Sequence, residues 1–96
     1  MKLIQSSSVT TEKSDKYRDM LSKHFARKVA VETSENVSQV QFPMGCCELR
    51  SDNHRLYFVC SAGSEPALNA VKGIIEKHMN LLKEVRGTSL TWHSEP

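Results

Sequence analysis

Apolar and polar positions alternate with a period of two through the middle of this chain. Val29 and Val31, Val40 and Phe42, Cys47 and Leu49, and Leu56, Phe58 and Cys60 form four short runs of that kind. Alternation of this sort predicts strands that bury one face. The segments between the runs, Glu35-Asn36, Pro43-Met44-Gly45 and Asp52-Asn53, are turn-forming residue types, so the four runs predict an antiparallel meander. Leu3 to Thr10 predicts one more strand upstream, interrupted at its middle by a serine run.

On both sides of the meander the spacing becomes helical. Ser14 or Asp15 can cap a helix that runs to about Lys28, with Tyr17, Met20, Leu21, His24 and Phe25 on one face. Gly63 breaks the last meander strand, Ser64 can cap a second helix, and Pro66 fits a first turn, where its missing N–H costs nothing. The second helix is predicted from Glu65 to about Arg86. Its apolar stripe is Ala67, Val71, Ile74, Ile75, Leu81, Leu82 and Val85, with Gly73 off the stripe and Gly87 placed as a left-handed cap. A last strand, Ser89 to His93, offers Leu90 and Trp92 on one side.

The strand register is constrained, because a one-residue slip turns a strand's apolar set to the wrong face. A two-residue turn at Glu35-Asn36 sets Val31 opposite Val40 and Val29 opposite Phe42, and one at Pro43-Met44 sets Val40 opposite Cys47. All of these lie on one face. The order β-α-β-β-β-β-α-β therefore predicts a single α+β domain over residues 1–96: a two-layer sandwich with an antiparallel sheet and both helices on one face. The pattern leaves the places of the first and last strands open.

Helical phase puts a histidine on the apolar face of each helix. At about 100° per residue, His24 falls within roughly 60° of Tyr17, Met20 and Leu21, and His78 within roughly 60° of Val71, Ile74, Ile75, Leu81, Leu82 and Val85. Both rings are expected to point inward. A buried imidazole needs hydrogen-bond partners, and burial favours the neutral form that can ligate a metal. The plain alternative is a pair of satisfied core histidines at the edge of the helix–sheet interface. Two histidines are too few for a closed zinc site without cysteine or carboxylate help.

The cysteines are the obvious source of such help. Cys46, Cys47 and Cys60 are odd in number and include no CxxC, which argues against a disulfide framework. Cys47 and Cys60 face the helices. A two-residue turn at Asp52-Asn53 would set Cys47 against Phe58, whereas a four-residue loop, Asp52 to Arg55, would set it against Cys60. In the second case a redox or His/Cys metal site becomes possible, against the default that both thiols pack as small hydrophobes. Cys46 faces outward and is the most reactive thiol on this reading.

Composition and charge narrow the class. An apolar fraction of 39% and a charged fraction of 25% suit one small globular unit. No run approaches the roughly 20 apolar residues that span a bilayer, and Met1 to Thr11 lacks an apolar signal core, so a cytoplasmic protein with no membrane contact is expected. The net charge of +2 hides an uneven distribution: residues 1–28 hold seven Lys and Arg against three acids. Lys23, Arg27 and Lys28 either complement the first helix's dipole, with Asp19 supporting Lys23, or draw in an anionic ligand. The basic segment has only Tyr17 and Phe25 as aromatics, which argues against nucleic acid. No phosphate loop, G-x-S-x-G or H-E-x-x-H is present, so an enzyme is not the expected class.

Several segments together resemble a known family. Ser22-Lys23-His24-Phe25-Ala26-Arg27-Lys28-Val29, the following Val31-Glu32, the Phe42-Pro43-Met44-Gly45 turn with Leu49, Glu76-Lys77-His78 and the terminal Leu90-Thr91-Trp92 are similar to DUF2218, a bacterial domain family of unknown function. The resemblance spans nearly the whole chain and is sharpest at K-H-[FW]-x-[HR]-K-V. It marks Lys23, His24, Arg27, Lys28, Gly45 and His78. The family also occurs attached to siderophore-interacting flavin reductases, so the resemblance implies iron homeostasis and a siderophore-reductase-type partner. Arg27 stands where many relatives carry a second histidine, and Leu81-Leu82-Lys83-Glu84 replaces a more aromatic ending. Arginine cannot ligate a metal, which shifts the expectation toward an anion-accommodating cluster.

Three readings follow. The first is a non-enzymatic binding or accessory domain for iron, haem or siderophore handling, with Lys23, His24, Arg27, Lys28 and His78 at an anionic small-molecule site. The second is a small thiol-dependent redox protein or enzyme using Cys46, or Cys47 with Cys60. The third is a structural domain that homodimerises through its sheet edges.

Overall fold

The computed structural model describes residues 2–82 and 90–94. In chain order the elements are β1 (Leu3–Thr10), α1 (Ser14–Ala26), β2 (Ala30–Thr33), β3 (Val37–Phe42), β4 (Gly45–Ser51), β5 (Arg55–Ala62), α2 (Glu65–His78), a 3-10 turn (Met79–Leu81) and β6 (His93–Ser94). The strands form one open antiparallel sheet in the order β2-β3-β4-β5-β1-β6, and both helices cover the same face. The α+β sandwich expected from the pattern is the fold.

The meander has the expected register. Val31 pairs with Val40, and Val40 with Cys47. Between β4 and β5 the four-residue loop is used: Ser51 faces Leu56, which brings Cys47 opposite Cys60. Asp52 organises that loop by accepting from the backbone N–H groups of His54 (3.0 Å) and Arg55 (2.8 Å) and from the Tyr57 hydroxyl (3.1 Å). These donors, the His54 N–H first, hold its carboxyl below the ordinary range. The two strands whose places the pattern left open both attach beyond β5. β1 pairs with β5 along its full length, Val9 against Leu56 and Gln5 against Cys60, and β6 adds outside it with His93 against Ser6.

The core lies between the sheet and the helices, built on Leu21, Val40, Leu49, Leu56, Phe58, Val71, Ile75 and Leu82, each 2% exposed or less. Burying side chains of this size stabilises a fold by roughly 1.5–3 kcal/mol apiece before entropy is counted. Gly45 marks the tightest approach, since a Cβ there would lie 2.4 Å from the Ser61 carbonyl oxygen and 3.1 Å from a methyl of Val71.

Several local expectations are corrected. The N-cap position of α1 is Lys13, with no side-chain cap. Ser14 and Asp15 lie inside the helix, their side chains bonding Asp52 and Ser51, because long-range partners outbid local capping. Met20 is 40% exposed, since the inner face of α1 is Ser14, Tyr17, Arg18, Leu21, Ser22 and Phe25. Val29 precedes β2, so its pairing with Phe42 is outside the ladder. The second helix stops at His78, and the tighter 3-10 turn rotates the following residues, leaving Leu81 45% exposed while Met79 and Leu82 are buried. The last strand is His93–Ser94. The expectations for Val85, Gly87 and the start of that strand at Ser89 lie outside the described residues.

A buried polar network ties α1 to the meander. The guanidinium of Arg18 donates to Ser51 Oγ (2.9 Å), Ser38 Oγ (3.1 Å) and the Glu35 carbonyl (3.1 Å). Ser22 Oγ is 2.7 Å from both the Arg18 carbonyl and Ser38 Oγ. Buried polar groups normally find such partners. The hydroxyl of Ser7 is buried without one among the described residues.

Candidate functional site

His24 lies in the last turn of α1 and His78 is the last residue of α2, so two helix C-termini converge at one corner of the sandwich. The ring centroids are 4.8 Å apart at 63°. Phe25 packs on both rings, at 4.8 Å from His78 and 6.0 Å from His24, and meets Phe42 of β3 edge-on at 5.3 Å. Both histidines are half-buried. They sit at the edge of the core rather than within it, since the apolar face of α1 turns Leu21 and Phe25 inward and leaves His24 on its flank.

The bonding of His78 sets its chemistry. Nδ1 lies 2.7 Å from the carbonyl oxygen of Ile74, one turn earlier. A carbonyl only accepts, so Nδ1 carries the proton, and in the neutral ring Nε2 keeps its lone pair. Burial first, then His78, Arg27 and Lys28, holds the pKa of His24 below the ordinary histidine value, so His24 is neutral at pH 7. The corner therefore presents neutral imidazole beside fixed positive charge. Lys23 pairs with Asp19 at 3.0 Å on the exposed surface, whereas Arg27 and Lys28 are exposed and in no ion pair among the described residues.

The structure thus brings His24 and His78 together, with Arg27 and Lys28 close enough to act on His24, while Lys23 is engaged with Asp19. Among the described residues no group of three or more His, Cys, Asp or Glu is placed to hold a metal ion. Gly45 serves the core, where its hydrogen leaves room for the Ser61 carbonyl and Val71.

The thiols divide into two sets. Cys47 and Cys60 are buried on the helix side of the sheet with their sulfurs 3.5 Å apart. Their sulfur–sulfur hydrogen bond and burial hold the Cys47 thiol well above its ordinary range, so it stays protonated. Cys46 is on the other face, half-buried, with Sγ 2.9 Å from Ser61 Oγ. A thiol held protonated in this way is not an activated nucleophile.

Two features of this surface escaped the sequence reading. Phe25 and Phe42 complete the histidine corner; Phe25 was legible as apolar, but its contact with Phe42 joins α1 to a strand that only the fold brings near. A groove of about 840 Å³ also runs across the face of the sheet opposite the helices, lined by Ser6, Ser8, Glu48, Arg50, Tyr57 and His93 among others. The serine run in β1 was its one visible signal. Within the groove Arg50 is already paired with Glu48 at 2.8 Å.

The fold is shared with a solved structure. PA4090 from Pseudomonas aeruginosa, determined by NMR, superposes with a TM-score of 0.81 at 21% sequence identity, and the alignment covers 95% of each chain. At that identity the likeness concerns the fold alone. No curated protein matches the chain. The model of a family described as "Uncharacterized protein conserved in bacteria" matches residues 6–93, which takes in every element from the centre of β1 to the start of β6. The chain belongs to that bacterial family, DUF2218.

Proposed function

We propose that this protein is a non-enzymatic accessory domain that holds an acidic ligand at the His24–His78 corner. The observation that carries the reading is the contact of two half-buried imidazoles, 4.8 Å between centroids, beside the exposed charges of Arg27 and Lys28. A neutral imidazole with a free ring nitrogen accepts a hydrogen bond or a coordination bond, and neighbouring cations attract a ligand with negative charge. The flat rings of His24 and His78, backed by the buried ring of Phe25, supply a surface for an aromatic ligand. The association of the family with siderophore-interacting reductases favours an iron-bearing anion, such as haem or a ferric catecholate siderophore, handed to or from a reductase.

The test is titration of the whole chain with haemin and with the ferric complex of a tris-catecholate siderophore, read by absorption spectrum, melting temperature and amide shifts. Specific binding perturbs the residues around His24 and His78, and His24→Gln or His78→Gln weakens it about tenfold, equivalent to about 1.4 kcal/mol. No spectral or thermal change with haemin, iron, zinc or the ferric siderophore overturns the proposal. So does binding that both substitutions leave intact.

A further inference from the structure

We infer that Cys47 and Cys60 are an oxidative modification site: a buried dithiol that a peroxide converts into a disulfide across β4 and β5. Two cysteines that face each other in the core have a chemistry that packing alone does not use.

The backbone already meets the geometric demand. Cys47 and Cys60 are direct partners in the antiparallel ladder. Such partners have Cα atoms about 4.5–5.5 Å apart, inside the roughly 4.4–6.8 Å that disulfides span. The sulfurs lie 3.5 Å apart, and Cys60 donates its S–H to Cys47, so both side chains point at one another before any bond forms. Closure to a bond of about 2.05 Å asks each sulfur to move by roughly 0.7 Å, a small χ1 adjustment for each.

The surroundings make the pairing specific. Along the same rung the outer neighbours are Val40, across from Cys47, and Gln5, across from Cys60, neither of which competes. Cys46 precedes Cys47 on β4 and so projects to the opposite face of the sheet, where it meets Ser61. The two buried thiols are 1% and 0% exposed. An oxidant reaches them more slowly than it reaches Cys46, which is half-buried.

The reaction balances with hydrogen peroxide as oxidant. Since Cys47 is held protonated, Cys60 is the thiol that gives up its proton, and its sulfur attacks a peroxide oxygen. The O–O bond breaks, the departing hydroxide takes the proton as water, and the sulfur is left as a sulfenic acid. The second sulfur then attacks the sulfenic sulfur, forms the S–S bond and expels hydroxide, which leaves as water with the second thiol's proton. Two thiols lose two electrons and one peroxide becomes two waters. The new bond closes the loop containing the Asp52 turn and joins two strands at the centre of the sheet. By restricting the unfolded chain it raises the melting temperature by roughly 10 °C.

The experiment uses the full chain carrying Cys46→Ser, exposed to hydrogen peroxide without denaturant. Remaining thiols are then blocked with N-ethylmaleimide in denaturant and the protein is digested with trypsin, which separates the two cysteines by cutting after Arg50 and Arg55. The expected result is a mass lower by two hydrogens, a linked pair of peptides containing Cys47 and Cys60, reversal by dithiothreitol, and the rise in melting temperature. The unsubstituted chain gives the same link, and Cys60→Ser abolishes it. The inference is overturned if Cys47 and Cys60 both end up alkylated, if they advance to sulfinic acids without linking, if the link needs denaturant, or if the main product is a covalent dimer. These outcomes do not involve the histidine corner, so they leave the proposed function to its own test.

Discussion

Arg18 donates from Nε to the hydroxyl of Ser51 at 2.9 Å, and Ser51 donates onward to the carboxylate of Asp15, one helical turn before the arginine. A buried guanidinium thus reaches a carboxylate through a serine rather than by a direct ion pair. Its other edges hold Ser38 and the Glu35 carbonyl, so one side chain on α1 spans β3, β4 and the turn that precedes β3.

Arg18→Ala removes three donated hydrogen bonds and leaves the buried Ser51 and Ser38 hydroxyls without the guanidinium. Each unsatisfied group costs about 1–3 kcal/mol, and urea unfolding is expected to show a total loss of about 3 kcal/mol. Arg18→Lys restores the charge but not the planar fork and recovers less than half. Equal stability of the lysine variant and the parent would show that the fork geometry contributes nothing.

His24 makes stability depend on pH. Its native pKa lies below the ordinary value of 6.5, while the unfolded chain titrates near that value. Between the two, the unfolded state holds a proton that the native state does not, so stability falls as pH drops through 6.5 towards the native pKa. Chemical unfolding at pH 7 and pH 5 is expected to show a steeper loss for the parent than for His24→Gln. NMR titration of the ring is expected to give a midpoint below 6.5.

Two glycines are expected to respond in opposite directions to alanine. Gly45→Ala drives a methyl against the Ser61 carbonyl oxygen at 2.4 Å, with Ala62 and Val71 closing the other sides, and is expected to cost about 3 kcal/mol or to prevent folding. Gly73→Ala meets nothing within 4 Å on α2 and is expected to stabilise by about 0.5–1 kcal/mol. Thermal melts of the two variants read this directly.

Ser64 caps α2 by accepting from the Ala67 N–H at 3.3 Å. Ser64→Ala is expected to cost about 1 kcal/mol, while Ser64→Gly costs only a few tenths. Faster hydrogen exchange at the Ala67 amide locates the loss at the cap.

Much of the meander was legible because its information is local. The facing of Val31, Val40 and Cys47 follows from a period of two and two short turns, and the ladder repeats that register. Ser64 before Pro66 read correctly as a helix start because its hydroxyl bonds locally, to the Ala67 N–H. The same logic failed at Ser14 and Asp15, whose side chains bond residues nearly forty positions away. The histidine pair was half legible: helical phase placed both rings on the helix faces that meet the sheet, with the edge of that interface as one alternative, but it did not show the ring contacts that Phe25 makes with both histidines and with Phe42.

The sequence by itself determined the order of the strands and helices, the face that the meander buries and how its first two hairpins join, because periodicity and turn chemistry act over a few residues. Tertiary structure alone decided that β1 lies between β5 and β6, that Cys47 meets Cys60, and that Arg18 is buried. Each of these depends on which distant groups arrive at one place. A strand edge accepts any strand with a compatible face, a loop of two or four residues satisfies the same pattern, and an arginine enters a core only where the fold gathers enough acceptors around it.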